Sequence, residues 1–294
     1  MGYTNIAIIY NPTSTGSSEL LARELEAQLR KRKPAQDVTL IATEYAGHAE
    51  ELTYSIAHET KRPLIISSSG DGGYHEVVNG AIRAQLEGAT PTTGLLPAGN
   101  ANDHHRNLHK NDLLEQILHE KKTTIDILKL TAHSKGKVIE RYTHSYIGIG
   151  ITPIVAAELN KNRLNLLTEA WIVISSLLRR RSVRLVINDS TKHYESIIFS
   201  NVATMSKYLR VSQSSDIADG KFEVTIMERR GWWQFIATLL KASSTGIRED
   251  GKESSFSLTT VRRTLLQADG EVIAIDANSD IHISIEKHAL TSVV

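Results

Sequence analysis

Three short polar segments of this chain have the composition of a phosphate site. The first is Ser69-Gly70-Asp71-Gly72-Gly73-Tyr74-His75-Glu76-Val77-Val78-Asn79-Gly80, which follows the apolar run Pro63-Leu64-Ile65-Ile66. It precedes the apolar-periodic residues Val77, Val78, Ala81 and Ile82. A Gly-Asp-Gly-Gly turn between a buried strand and a helix N-terminus offers an anion backbone N–H groups and the positive end of the helix dipole. Glycine lets the backbone approach without a Cβ in the way. Asp71 would repel phosphate, which leaves it a Mg²⁺ or its waters to hold, or the loop to order. The second segment is Gly94-Leu95-Leu96-Pro97-Ala98-Gly99-Asn100-Ala101-Asn102-Asp103, and the third is Tyr10-Asn11-Pro12-Thr13-Ser14-Thr15-Gly16. One such turn alone is ordinary turn chemistry. Three, each after an apolar strand, describe a composite site, because parallel strands of an open α/β sheet gather such loops at their carboxyl ends.

The elements that must position these loops alternate strand and helix. Strands are expected at 6–10, 38–42, 64–67 and 93–96, with helices at 18–33, 46–60, 74–86 and 112–119. Such alternation implies a parallel sheet with helices on both faces. From about Thr124 the pattern turns β-rich, at 126–131, 138–149, 182–187, 193–201, 222–227 and 255–266, with helices at 164–179 and 232–242. The fold class is therefore α/β plus β: an N-terminal open parallel-sheet domain over 1–125 and an antiparallel domain over 126–285. Strands at 281–285 and 290–294 end the chain.

Composition narrows the classes. The chain has 294 residues, 40% hydrophobic and 23% charged, with a formal net charge of +1. Near-neutral charge gives no global pull toward nucleic acid. There is no cysteine, so disulfide and thiolate chemistry are excluded. Met1-Gly2-Tyr3-Thr4-Asn5 runs straight into a strand with no basic leader, and the expected location is cytoplasmic. His75, His104 and His105 do not have zinc spacing. Basic clusters at Arg30-Lys31-Arg32-Lys33 and Arg179-Arg180-Arg181 read either as solvated helix ends or as contacts for anionic headgroups. Arg229-Arg230-Gly231-Trp232-Trp233-Gln234-Phe235 suits a membrane interface or a core equally. The helix at 164–179 carries Leu164, Leu167, Trp171, Ile174 and Leu178 on one side, as core or as a wall for an acyl chain.

Together the segments resemble the diacylglycerol kinase catalytic-domain family, in particular its small bacterial lipid kinases. The family pattern runs roughly NPxSG, GGDGTxNEVVNG, PxGTxND, DGxLD and DGE. The counterparts here, in the same order, are 11–16, 69–80, 97–103, Asp219-Gly220-Lys221-Phe222-Glu223 and Asp269-Gly270-Glu271, with Thr43 and Gly47-His48-Ala49 fitting a further segment. Four positions depart: Ser69 stands for Gly, Gly73 for Thr, His75 for Asn and Asn100 for Thr. Two hydroxyls expected beside the nucleotide are thus missing, which bears on nucleotide affinity and identity more than on the fold.

The resemblance implies a β-sandwich in the second domain, with residues 286–294 returning to complete the first. It implies an ATP-dependent kinase acting on a lipid hydroxyl, most directly converting diacylglycerol to phosphatidic acid, with ATP and Mg²⁺ as cofactors. Nucleotide contacts would fall to Asn11, Thr15, Thr43, Gly70, Asp71, Gly72, Gly73, Glu76 and Asn100. A structural Mg²⁺ would lie on Asp216, Asp219 and the main chain of Lys221, although Asp-Gly there is also plain turn chemistry. Catalysis would fall to Glu271 as base, with Asp71; Asp269 competes with Glu271 for that role. The implied partners are a lipid substrate, transient contact with a membrane surface and, as a candidate, a second copy of the chain. Two other readings remain: an NAD kinase-like enzyme, whose loop also reads GGDG, and a non-catalytic nucleotide- or lipid-binding protein.

Overall fold

The structure is a computed structural model. It describes residues 2–14, 16–108, 112–161, 182–205, 209–212, 215–229 and 249–293, with 231, 234, 237–238, 241 and 244–246 between. Two compact units divide it: residues 1–126 with 287–294, and residues 127–286.

Unit 1 contains β1 (Ile6–Tyr10), α1 (Ser18–Arg32), β2 (Val38–Ala42), α2 (His48–Glu59), β3 (Leu64–Ser69), α3 (Asp71–Leu86), β4 (Thr92–Pro97), α4 (Asp103–Leu108) and α5 (Leu113–Leu118). Its strands are parallel in the order β4-β3-β1-β2, with Ile6 beside Val38 and Leu64, and Leu64 beside Thr92. Ser292 and Val293, from the end of the chain, add a fifth parallel partner beside Thr93 and Gly94. The centre strand β3 is buried along its whole length. One face packs Ile6, Ile8, Leu64 and Ile66 against Leu25, Leu29 and Ile117.

Unit 2 holds most of β5 (Thr123–Ser134), then β6 (Lys137–Thr143), β7 (Tyr146–Gly150), α6 (Ile151–Lys161), β8 (Val183–Ile187), β9 (Ser190–Ser200), β10 (Thr204–Met205), β11 (Leu209–Arg210), β12 (Phe222–Glu228), β13 (Gly251–Glu253), β14 (Ser255–Thr260), β15 (Thr264–Ala268), β16 (Glu271–Ile275) and the first part of β17 (Asp280–Val293). The strand pairs β5–β6, β7–β9, β8–β9, β9–β12 and β15–β16 are all antiparallel. Their apolar alternation builds one core from Leu128, Ile147, Ile197, Phe199, Phe222, Leu266 and Ile283, among others.

Several elements differ from the sequence expectation. Helix α3 begins at Asp71, not Tyr74, so Asp71, Gly72 and Gly73 form its first turn and Gly70 alone, with extended backbone, makes the bend. An aspartate in the first turn favours this start through the dipole. The stretch 138–149 is two strands, broken at His144 and Ser145. The expected strands 281–285 and 290–294 are one, kinked at His288, whose φ is 51° and whose N–H donates to Asp126 Oδ1 at 2.7 Å. Helices α4 and α6 are outside the sequence expectation: α4 has only six residues, and α6 follows directly on β7 with a proline at its third position. The expected helix at 164–179, the Arg179–Arg181 cluster, Thr15, Arg230, Trp232, Trp233 and Phe235 lie outside the described residues.

Candidate functional site

In unit 1 the three loops meet through their backbones. Gly70 and Gly99 touch so closely that a Cβ on Gly99 would lie 2.3 Å from Gly70 Cα. A Cβ on Gly16 would lie 1.9 Å from the Ala98 carbonyl oxygen. Only glycine permits either approach, which explains two of the motif's glycines without reference to a ligand. The loops are also tied by side chains. Asn11 Oδ1 accepts from the Thr13 N–H at 2.9 Å and the Thr13 hydroxyl at 2.8 Å, and the Asn11 N–H donates to Ser18 Oγ at 3.2 Å. Asn102 brackets Gly99, accepting from its N–H at 3.0 Å and donating to its carbonyl at 2.9 Å. Thr43 donates its N–H to the Tyr10 carbonyl at 2.9 Å, and Asn100 is exposed. No side chain caps Gly70 at the N-terminus of α3. A polar, glycine-walled corner with an open helix N-terminus is suited to an anion.

The two acidic side chains of α3 point elsewhere. Asp71 accepts from the N–H groups of Asp103 and His104, both at 3.0 Å, and so caps α4. Glu76 accepts from Gly47 N–H at 2.9 Å and Ala49 N–H at 3.1 Å, and so caps α2. Of the roles open to Asp71, the structure displays the ordering of the loop, and Glu76 acts in the same way on the loop after β2. Each carboxylate satisfies two N–H groups that a helix start leaves without partners. Next to this corner, burial and then the Arg106 charge hold the His105 imidazole below its ordinary value, against the pull of Asp71.

Ser69 and Gly73, two departures from the family pattern, are in contact. A Cβ on Gly73 would lie 2.6 Å from both Cβ and Oγ of Ser69. The Ser69 hydroxyl lies 2.6 Å from Ser67 Oγ and donates to the Gly70 carbonyl at 2.9 Å. The two changes are therefore one: a side chain at 69 requires none at 73. Gly73→Thr alone is expected to cost about 1–3 kcal/mol by overpacking. Adding Ser69→Gly should recover most of that loss, and urea melts of both single variants and the double variant measure the coupling. Additive losses would sink this account.

In unit 2, Asp269 and Gly270 form a two-residue hairpin loop between β15 and β16, with φ of 45° and 99° and Ala268 opposite Glu271. That is the type I′ geometry. Asp269 is not an exposed turn residue: it is 2% exposed and accepts from the N–H groups of His144 at 2.7 Å, Ser145 at 3.0 Å and Tyr146 at 3.0 Å. These bonds close the break between β6 and β7. Glu271 stands partly exposed at the first position of β16 and accepts from Arg141 Nε at 3.0 and 3.3 Å.

In the 215–221 loop both aspartates accept from backbone N–H groups. Asp216 Oδ1 accepts from Ala218 N–H at 3.1 Å, and Asp219 Oδ1 accepts from Lys221 N–H at 2.9 Å. The other Asp219 oxygen accepts from Lys252 Nζ at 3.0 Å. Among the described residues, no group of three His, Asp or Glu side chains is placed to hold a metal ion. Lys252 and Arg141 were not foreseen: register sets Lys252 opposite Glu223, and Arg141 meets Glu271 across β6 and β16, which are not paired strands. The basic end of α1 is largely paired: Arg30 with Glu26 at 2.9 Å, Arg32 with Glu115 at 3.4 Å and Lys33 with Glu120 at 4.0 Å.

Comparison with known proteins agrees with the motif reading. Residues 5–130 match the diacylglycerol kinase catalytic domain. A diacylglycerol kinase of Staphylococcus aureus strain JH9 is 37% identical over 128 residues, which are 42% of this chain and 39% of that relative, so the chain spans well under half of the curated relatives' length. A crystal structure described as a diacylglycerol kinase from Bacillus anthracis strain Sterne superposes with a TM-score of 0.73 at 16% identity, covering 100% of this chain and 97% of that one. Yeast NADH kinase complexed with NADH gives a TM-score of 0.54 at 10% identity, over 97% and 79% of the two chains. Residues 5–130 are thus similar to a diacylglycerol kinase catalytic domain, and the chain shares with the solved structure a fold of parallel N-terminal and antiparallel C-terminal strands.

Proposed function

We propose that this chain is a kinase that transfers the γ-phosphoryl group of ATP to a lipid hydroxyl, with diacylglycerol the leading acceptor and phosphatidic acid the product. The observation that carries this reading is the meeting of three glycine-containing loops beside an uncapped helix start, within the stretch that matches the catalytic domain. Phosphoryl transfer asks little covalent chemistry of a protein and much positioning. The backbone of Gly70, Gly72 and Gly73 would hold phosphate oxygens, with Asn11, Thr43 and Asn100 around the nucleotide and Asp71 and Glu76 fixing the loops that do so. Mg²⁺ carried in with ATP would supply charge neutralisation at the phosphates. The acceptor oxygen bonds to the γ-phosphorus as the bond to the β-phosphate oxygen breaks, and the hydroxyl proton passes to Glu271, whose carboxylate Arg141 orients. The lipid acceptor implies transient contact with a membrane surface. No helix of the described residues is long and apolar enough to cross a bilayer.

The test is one radiolabelled-ATP assay with Mg²⁺ against diacylglycerol, sphingosine, glycerol and NAD. Labelled phosphatidic acid supports the reading. Labelled NADP in its place would move the chain to the NAD kinase type, and no product with any acceptor would make it a binding protein. Asp71→Asn tests the loop assignment separately. The amide keeps one acceptor and turns an N–H donor toward the other backbone N–H, at about 1–3 kcal/mol. ATP-dependent thermal stabilisation should fall sharply. Unchanged ATP stabilisation would place the nucleotide away from these loops.

A further inference from the structure

Lys252 sits where the acidic loop of unit 2 would carry a cation. Strand register sets it opposite Glu223, which is 1% exposed, on neighbouring strands β13 and β12. Its Nζ lies 3.0 Å from Asp219 Oδ2 and 3.2 Å from Glu223 Oε1. The remaining Glu223 oxygen accepts from the Ser215 hydroxyl at 2.8 Å. The ammonium thus ties Asp219 to the sheet, and Glu223 ties Ser215 at the other end of the 215–221 loop. A divalent ion on Asp219 would compete with this ammonium for the same oxygen and be repelled by it. The buried Glu223 carboxyl is well served by a fixed cation, and a lysine with three rotatable donors can serve two carboxylates at once.

We propose that Lys252 is the resident cation of this loop, replacing the structural Mg²⁺ that the resemblance implies, so that unit 2 is ordered without a divalent ion. The inference concerns the apo protein and does not depend on the kinase reading.

The experiment is thermal melting of the full chain without nucleotide, in EDTA and in millimolar MgCl₂, with calorimetric titration of Mg²⁺ alone. Wild type should melt alike in both and take up no Mg²⁺. Lys252→Met removes the charge at similar length and should lower Tm by roughly 5 °C or more in EDTA. It should regain part of that loss in MgCl₂, because Asp219 and Glu223 are left for the ion. Lys252→Arg keeps the charge and should melt near wild type in EDTA. A wild-type Mg²⁺ titration that Asp219→Asn abolishes would overturn the proposal, as would Lys252→Met melting like wild type. Should Lys252→Met not fold, the wild-type titration and Lys252→Arg still decide.

Discussion

Glu271→Gln is expected to lower turnover by about 10² to 10⁴, the usual contribution of a general base, while leaving the fold and ATP affinity intact. The amide has almost the shape of the carboxylate and can still accept from Arg141 Nε, which now lies at 3.0 and 3.3 Å from the two oxygens. It cannot take a proton. The side chain is about one third exposed, so the substitution buries no new polar group. Single-turnover transfer from labelled ATP to diacylglycerol measures the chemical step, and ATP-dependent thermal stabilisation measures binding. Both are needed, because a fall in turnover alone would not separate a lost base from a lost nucleotide site. Near wild-type turnover would show that the proton leaves by another route and would remove Glu271 from the mechanism.

Much of the fold was legible because apolar periodicity and motif punctuation agree. Strands β1 and β2 fall where the apolar runs place them, and the polar loops follow β1, β3 and β4. What the sequence concealed is mostly carried by side chains that reach far along the chain. Asp71 in a phosphate-loop motif looks like a metal or phosphate residue, yet both of its oxygens cap α4, about thirty residues on. Glu76 does the same for α2, at a similar distance in the other direction. Neither contact leaves a periodic trace, since each joins one side chain to two backbone N–H groups. The paired departures Ser69 and Gly73 look like two losses when aligned to a motif, and only the 2.6 Å approach reveals one compensated exchange. Position 252 offers no motif at all, and the register of β12 against β13 alone gives it meaning.

Asp269→Asn separates architecture from catalysis at the remaining acidic residue. Asparagine tolerates the left-handed backbone of a type I′ turn as well as aspartate does, so the hairpin loop with φ of 45° at this position should persist. What changes is the carboxylate. Its two oxygens accept three backbone N–H groups, and His144 Nε2 lies 3.2 Å from one of them, with both side chains fully buried. An amide supplies one oxygen and sets an N–H donor against at least one of those donors. Hydrogen bonds to a charged group are worth about 1.5–3 kcal/mol each, and leaving buried donors unmet adds to the loss. A cost of about 3–5 kcal/mol follows, comparable to breaking a buried ion pair. Urea melts followed by far-UV circular dichroism would register it as a lower midpoint. Glu271 is two residues away on the strand that this turn begins, so turnover should fall as well. The difference from Glu271→Gln is that here the lost turnover comes with lost stability. An Asp269→Asn protein that melts like wild type yet fails to transfer phosphate would reverse the assignment and make Asp269 the base.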